Sequence, residues 1–228
     1  MQAAIISLNV ALPTDSLTYN GKPVRSGIVK QPVQLPIQLQ QLGFEGDGVA
    51  DTKHHGGPDK AICVYPSEHY DFWQREWGHE LPHAAFGENL TTSGLIETNV
   101  HIGDMFRIGE AVVQVTQPRQ PCFKLAARYD KKEIPVWMQD TGFTGYYLRV
   151  IEEGVVRPED KLTLIQADEA AVSIQYANEV MHHHKHGEEG VARMLANPSL
   201  SASWRATLTK RLQGILQDTS ERIQGTQS

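Results

Sequence analysis

Cysteine is scarce: two occur in 228 residues, with no Cys-x-x-Cys pair. That excludes a disulfide scaffold, a closed zinc ribbon and an iron–sulfur ligand set. No apolar run approaches the ~20 residues needed to span a bilayer, so no membrane segment is expected. The opening MQAAIISLNV has no basic flank, so no secretory signal is read and a reducing cytoplasm is the expected location. Neither a G-x-G-x-x-G fingerprint nor a P-loop is present, which weakens NAD and nucleoside-triphosphate readings. Basic charge is also in deficit, 21 Lys and Arg against 27 Asp and Glu, for a net charge of -6. An acidic surface repels phosphate backbones, so nucleic acid is not an expected partner.

What is present is an ordinary core-forming composition, 40% hydrophobic and 21% charged, long enough for one large domain and a small appendage. Up to about residue 165 short apolar runs alternate with Gly, Pro and Asp. Ala3 to Leu8, Ala61 to Tyr65, Asp104 to Ile108, Ala111 to Thr116, Tyr146 to Ile151 and Lys161 to Ile165 read as strands. The run at Ala61 reads as buried on both faces, and Gly109-Glu110 reads as a hairpin connection. Helices are expected at Ser67 to Trp77, Cys122 to Tyr129 and Ile134 to Asp140. This pattern predicts a mainly β domain, barrel or sandwich, with inserted helices over 1–165.

From 166 to 228 the pattern becomes helical. One helix is expected from Asp168-Glu169 with Val172, Tyr176, Val180 and Met181 on one face, and a second over Glu188 to Ala196. A third, capped by Ser201, is expected to carry Trp204, Leu208, Leu212, Ile215 and Leu216. The result is a small all-α three-helix domain whose apolar faces favour packing on the β domain over docking a partner. Gly225 to Ser228 are expected to fray.

The two cysteines differ in context. Cys63 sits inside an apolar strand, where a thiol acts as a small hydrophobe. Cys122 follows Gln117-Pro118-Arg119-Gln120-Pro121, whose prolines force an extended approach to a helix start. Unpaired N–H groups at that helix end favour an anion, as do Arg119, Lys124 and Arg128. Those conditions favour thiolate, which is a soft metal ligand, a sulfur carrier or a nucleophile. Upstream, His54-His55-Gly56-Gly57-Pro58-Asp59-Lys60 leads into the buried strand; its Cβ-free backbone lets a ligand approach, and His55 and Lys60 can meet an anion. Phe86-Gly87-Glu88-Asn89-Leu90 is a polar island readable as a turn. His182 and His186 could chelate a metal at i, i+4 on one helix, but a solvated helix end is the favoured reading of that histidine run.

Several of these segments occur together in a known order. Gly46-Asp47-Gly48, the His55-Gly56-Gly57 to Lys60 loop, Phe86 to Leu90, Ile102-Gly103-Asp104, Gln117 to Cys122 and Gly145-Tyr146-Tyr147-Leu148-Arg149-Val150 resemble the MOSC-domain family, the molybdenum-cofactor sulfurase C-terminal family. The tail, including Ser201-Ala202-Ser203-Trp204, is similar to the three-helix extension of YiiM-type bacterial members. The resemblance implies a MOSC-type β-barrel and a molybdenum-pterin cofactor (Mo-molybdopterin) with Cys122 as the metal ligand. It further implies reduction of N-hydroxylated small molecules such as 6-hydroxylaminopurine. Within it, Arg119 and Lys60 are candidates for the cofactor's phosphate or dithiolene charge and His55 for a hydrogen bond and a proton. Asn89 is a candidate for orienting the pterin, and Arg149 is a further cofactor candidate. With no flavin or NAD fingerprint, a separate electron-donor reductase, a flavoprotein, is expected as a partner; a homodimer is the other. Two rival readings stay open: a Cys122 persulfide used for sulfur transfer in cofactor assembly, and a non-catalytic cofactor carrier.

Overall fold

The structure is a computed structural model and describes residues 1–52 and 54–225. The chain opens with β1 (Gln2–Val10), then the hairpin β2 (Thr14–Tyr19) and β3 (Lys22–Ser26), and the short strands β4 (Gln31–Pro32), β5 (Ile37–Gln40) and β6 (Gly43–Phe44). After a glycine-rich loop come β7 (Ile62–Pro66), α1 (Tyr70–Trp77), β8 (Leu90–Ser93), β9 (Met105–Ile108) and β10 (Ala111–Pro118). Two helices follow, α2 (Phe123–Tyr129) and α3 (Ile134–Thr141), then β11 (Tyr146–Glu152), β12 (Gly154–Val156) and β13 (Lys161–Gln166). The chain ends in α4 (Ile174–His182), α5 (Gly187–Ala196), α6 (Ala202–Leu212) and the short α7 (Ser220–Gln224).

Seven strands close a barrel in the order β13-β9-β10-β11-β7-β8-β1, with β1 returning to β13. All pairs are antiparallel except β7 with β8. Closure leaves no free edge in this ring. Side-chain alternation then sorts each strand into an inner and an outer set. On β7, Ile62 and Val64 point into the barrel core, while Cys63 and Tyr65 face outward. On β11, Tyr146 and Leu148 join the core, and Tyr147 lies opposite Cys63 on the outer face.

That outer face is covered rather than solvated, so β7 is buried along its whole length as expected from its unbroken apolar run. A second, aromatic core lies outside the barrel. Tyr65, Trp73, Trp77 and Phe86 meet Leu125 of α2 and Ile134 and Met138 of α3 there. Leu125 fixes the orientation of α2, and with it the direction in which the helix start points.

The C-terminal helices share the barrel's own core: Val172, Ile174, Val180, Met194, Trp204 and Leu208 pack with the barrel strands. Helix boundaries there differ from the sequence expectation in two places. Asp168 does not start a helix: its carboxylate accepts from the Ala170 backbone and from Asn197, and α4 is instead capped by Ser173, whose Oγ accepts from the Tyr176 N–H. Nor do Ile215 and Leu216 continue the apolar face of α6, which ends at Leu212; both are exposed beyond Gly214. Gly225 does not fray, for its N–H donates to Glu221 and it lies beside the Phe123 ring; 226–228 lie outside the described residues.

Trp204 is 1% exposed within this joint core. Trp204→Ala is expected to lower stability by about 3–5 kcal/mol, the usual range for emptying an aromatic site. Chemical denaturation followed by circular dichroism should still show a single transition. Separate melting of the helical segment would contradict the shared core.

Candidate active site: a thiol between two cavities

The connection from β10 to α2 carries Cys122 to the outer face of the barrel. Its backbone is extended, φ −135° and ψ 167°, and it caps α2 as the proline-rich approach predicted. The side chain is only 4% exposed, yet it lines a cavity of about 530 Å3. His55, Lys60, Arg119, Lys124, Cys63 and Tyr147 share that lining.

Burial alone would hold the Cys122 thiol protonated. His55, by charge and by a hydrogen bond to the sulfur, the Arg119 guanidinium and the Lys124 backbone N–H together outweigh it, and the thiol is lowered to about 6. Cys63, close by, goes the other way: burial pushes its thiol up to about 11 despite Arg119. One neutral thiol and one thiolate therefore lie on the same wall. Cys63 keeps its expected packing role, but as part of the cavity floor, its backbone N–H donating 3.0 Å to Asn89 Oδ1.

Arg119 is 5% exposed. Burial works against its charge, but the anionic groups beside it, Cys122 and Glu88 among them, outweigh that and raise its pKa. It hydrogen-bonds Tyr147, yet its Nη1 has no partner. A buried guanidinium N–H without an acceptor is costly unless a ligand fills the space beside it. Lys60 is also held in the wall, its Nζ donating 2.7 Å to the His54 carbonyl; burial lowers its pKa, Asp59 and Asp51 offsetting part of that. Glycines 27, 48, 56, 57 and 87 complete the lining and leave backbone open to whatever occupies it. At Gly87, with φ +77°, a Cβ would sit 2.4 Å from Ile28 Cγ1, so only glycine is tolerated.

Two sequence candidates have other duties. Asn89 lines the cavity, but its amide is committed: Nδ2 donates to Asn9 O at 3.2 Å and Asp47 Oδ2 at 2.8 Å, and Oδ1 accepts from Cys63. Its N–H groups are therefore not free for a pterin; it clamps the loops that frame the site. Arg149 shares the outer face of β11 with Tyr147 but reaches away from the cavity. It pairs with Asp59 at 2.8 Å and donates to Ser199 O at 3.0 Å, tying the glycine loop to the helical segment. Arg149→Gln is accordingly expected to cost about 1 kcal/mol of stability in thermal melts, the range of partly exposed pairs, without loss of cofactor. Loss of cofactor with an unchanged melting temperature would contradict this placement.

Among the wall residues the sequence did not single out as candidates are Lys30, Asp47 and Tyr147, while Lys124 lines the cavity as expected. Asp47 is the organiser among them, since its carboxylate accepts from Lys30, Ala11 N–H and Asn89. The Gly46-Asp47-Gly48 motif marked it in sequence, but nothing local to it announced the partners. The histidine run lies elsewhere. α4 stops at His182, so His182 and His186 do not share one helix; His186 pairs with Glu179, and His183 Nε2 donates to the Gln139 carbonyl. No group of three His, Cys, Asp or Glu side chains suited to a metal ion occurs among the described residues. Nor, among them, is any helix long and apolar enough to cross a membrane.

Residues 51–163, which include Cys122 and most strands of the closed barrel, match the model of the MOSC domain family. Residues 172–214 match a second model, the YiiM-like, 3-alpha helix domain. The chain is 48% identical over 213 residues to the uncharacterized protein YflK of Bacillus subtilis (strain 168), covering 93% of this chain and 96% of that one. It is 43% identical over 209 residues to protein YiiM of Escherichia coli (strain K12), covering 90% and 92%. A more limited match, 33% over 150 residues, relates 64% of the chain to 27% of a reductase from Gibberella moniliformis. The crystal structure of YiiM from Geobacillus stearothermophilus superimposes with a TM-score of 0.79 at 39% identity, covering 92% of this chain and 99% of that one. The chain belongs to the MOSC-domain family, in the YiiM-like group that carries the three-helix module.

Proposed function

We propose that this protein is a molybdenum-cofactor-dependent reductase of N-hydroxylated small molecules. The observation that carries the proposal is the pairing of the Cys122 sulfur with a cation-lined cavity of about 530 Å3 in which the buried Arg119 Nη1 lacks a partner. The cavity's size is that of a cofactor pocket. Its charge, Lys30, Lys60, Arg119 and Lys124 against Asp47, suits the phosphate and dithiolene of a pterin. A single thiolate does not hold a metal by itself, so the metal must arrive with ligands of its own, as it does in that cofactor. Similarity to the Gibberella reductase over part of its length accords with redox chemistry.

In this reading Cys122 ligates molybdenum, Arg119 and Lys60 hold the cofactor's anionic groups, and Tyr147 keeps Arg119 in place. When bound, the cofactor supplies a centre that takes up the substrate's nitrogen-bound oxygen as two electrons pass to the substrate. The overall balance is R–NHOH plus two electrons and two protons giving R–NH2 and water. His55, hydrogen-bonded to Cys122 and half-buried at the cavity wall, delivers one of those protons to the departing oxygen. The electrons come from a separate flavoprotein reductase, since the chain has neither an iron–sulfur cysteine set nor a dinucleotide fingerprint.

The test is metal and pterin analysis of protein purified from cells that make the cofactor, with turnover of 6-hydroxylaminopurine driven by a chemical electron donor. Stoichiometric molybdenum and amine product are expected. A Cys122 persulfide with no molybdenum would replace this reading with sulfur transfer, and bound cofactor without turnover of any N-hydroxylated compound would replace it with a carrier.

A further inference from the structure

Cys122 forms part of the wall of a second cavity, of about 200 Å3, that shares His55, Lys60 and Tyr147 with the first. Its remaining wall comes largely from the C-terminal helices: Ser203 and Thr207 of α6, then Gln217, Asp218, Glu221 and Arg222. Arg222 fixes this wall to the site, its guanidinium donating to the carbonyl of Pro121, next to Cys122, and to Gln139 Oε1. Gly225 at the end of α7 rests on the Phe123 ring, which lines the same cavity. The charge character is opposite to that of the first cavity. Three carboxylates, Asp51, Asp218 and Glu221, stand with two cations, Lys60 and Arg222, and two histidines, of which His54 pairs with Asp51 at 2.9 Å. Asp218 and Glu221 are exposed at the mouth, and hydrogen bonds from the Ser220 hydroxyl and backbone hold the Asp218 carboxyl below its usual range.

We propose that this second cavity is the substrate compartment, and that it admits small neutral or cationic, amine-bearing N-hydroxylated rings while rejecting anionic ones such as nucleotides. The inference deepens the reading above and rests on it for the contents of the first cavity. A bulky anionic cofactor belongs on the basic side of Cys122. A substrate must reach the same sulfur-bound centre from the side left open, and that side is narrow and fringed with carboxylates. A phosphate-bearing substrate would meet Asp218 and Glu221 at the entrance; a free base would not be repelled. Ser203, Thr207 and Gln217 offer neutral donors and acceptors to ring nitrogens and exocyclic amines. The helical module thereby sets specificity for chemistry housed on the barrel.

The geometry is testable on the protein without cofactor. Cys122 would be labelled with two methanethiosulfonates of the same reactive group, one ending in trimethylammonium and one in sulfonate, and the modified cysteine identified by peptide mass spectrometry. Comparing variants reagent by reagent at one pH, and taking the ratio of the two rates, cancels the ionisation of the thiol. Thr207→Trp, which plugs the second cavity alone, should slow the cationic reagent about tenfold and leave the anionic one, entering by the basic cavity, within about twofold. Asp218→Lys with Glu221→Lys should slow the cationic reagent about tenfold and speed the anionic one. Cationic labelling at the wild-type rate in both variants, or a parallel fall of both reagents in the double variant, would overturn the proposal. In loaded enzyme the double variant should raise KM for an amine-bearing substrate rather than lower kcat, and a pure kcat effect would also count against it. Absence of molybdenum would remove the cofactor reading while leaving the labelling result intact, so the two failures are distinguishable.

Discussion

Cys122→Ser is expected to strip molybdenum from the protein and reduce turnover by more than about 100-fold, since loss of outer-shell partners alone costs ~10–100-fold at metal sites. Serine oxygen is hard and remains protonated, so it replaces neither the softness nor the charge of the thiolate. Cys63→Ser is the matched control. Burial holds the Cys63 thiol neutral, raised to about 11, so its replacement should leave the metal in place. Metal analysis on the two variants side by side separates ligation from general damage to the cavity. Equal molybdenum in both would mean that Cys122 is not a ligand.

The second large effect is in pH dependence. In cofactor-free protein the rate of Cys122 alkylation by iodoacetamide is expected to rise through a midpoint at about 6. A free cysteine would show that midpoint near ~8.5. The sign for stability follows from the same shift. Because the folded-state value lies below the unfolded one, thiolate formation favours the fold; the contribution is complete above the unfolded-state pKa and is lost as pH falls through about 6. His55→Ala removes both a charge and a hydrogen bond from the sulfur. It should therefore move the midpoint upward by a unit or more and slow alkylation at pH 6 by about fivefold or more, with a smaller loss at pH 8. An unchanged midpoint would show that His55 does not govern this thiol.

Most of the barrel was legible in the sequence because its strands are short apolar runs between Gly, Pro and Asp. The Gly109-Glu110 hairpin and the doubly buried β7 are plain cases. The hairpin of β2 and β3 went unread although its signal is explicit: Asn20 and Gly21 both take positive φ, the turn that favours that dipeptide. Cys122 at the start of α2 was readable because prolines and a helix start are local features. The partners of Asp47 were not, since Lys30, Ala11 and Asn89 come from separate loops that only the closed barrel gathers. Arg149 illustrates the opposite error. As a position in the Gly145 to Val150 motif it was a cofactor candidate, yet it pairs with Asp59. The far ends of the helical module misled for a similar reason: the apolar spacing of Ile215 and Leu216 continues past the point where Gly214, at φ +78°, ends the helix.

The C-terminal wall of the second cavity had no sequence signature. Ser203, Thr207, Asp218 and Glu221 lie on polar stretches that read as solvated helix surface. Ser203 and Thr207 line the cavity because Trp204 and Leu208, each one position further along α6, are drawn into the barrel core. Packing energy along one stripe of the helix thus sets the neighbouring polar stripe against the cavity.

The most direct measurement is X-ray absorption at the molybdenum edge on wild-type protein and on a Cys122→Ser sample reconstituted with excess cofactor. The account predicts one sulfur neighbour fewer around the metal in the variant. An identical sulfur shell in the two samples would contradict it, because the metal would then be held without the one thiolate on the cavity wall.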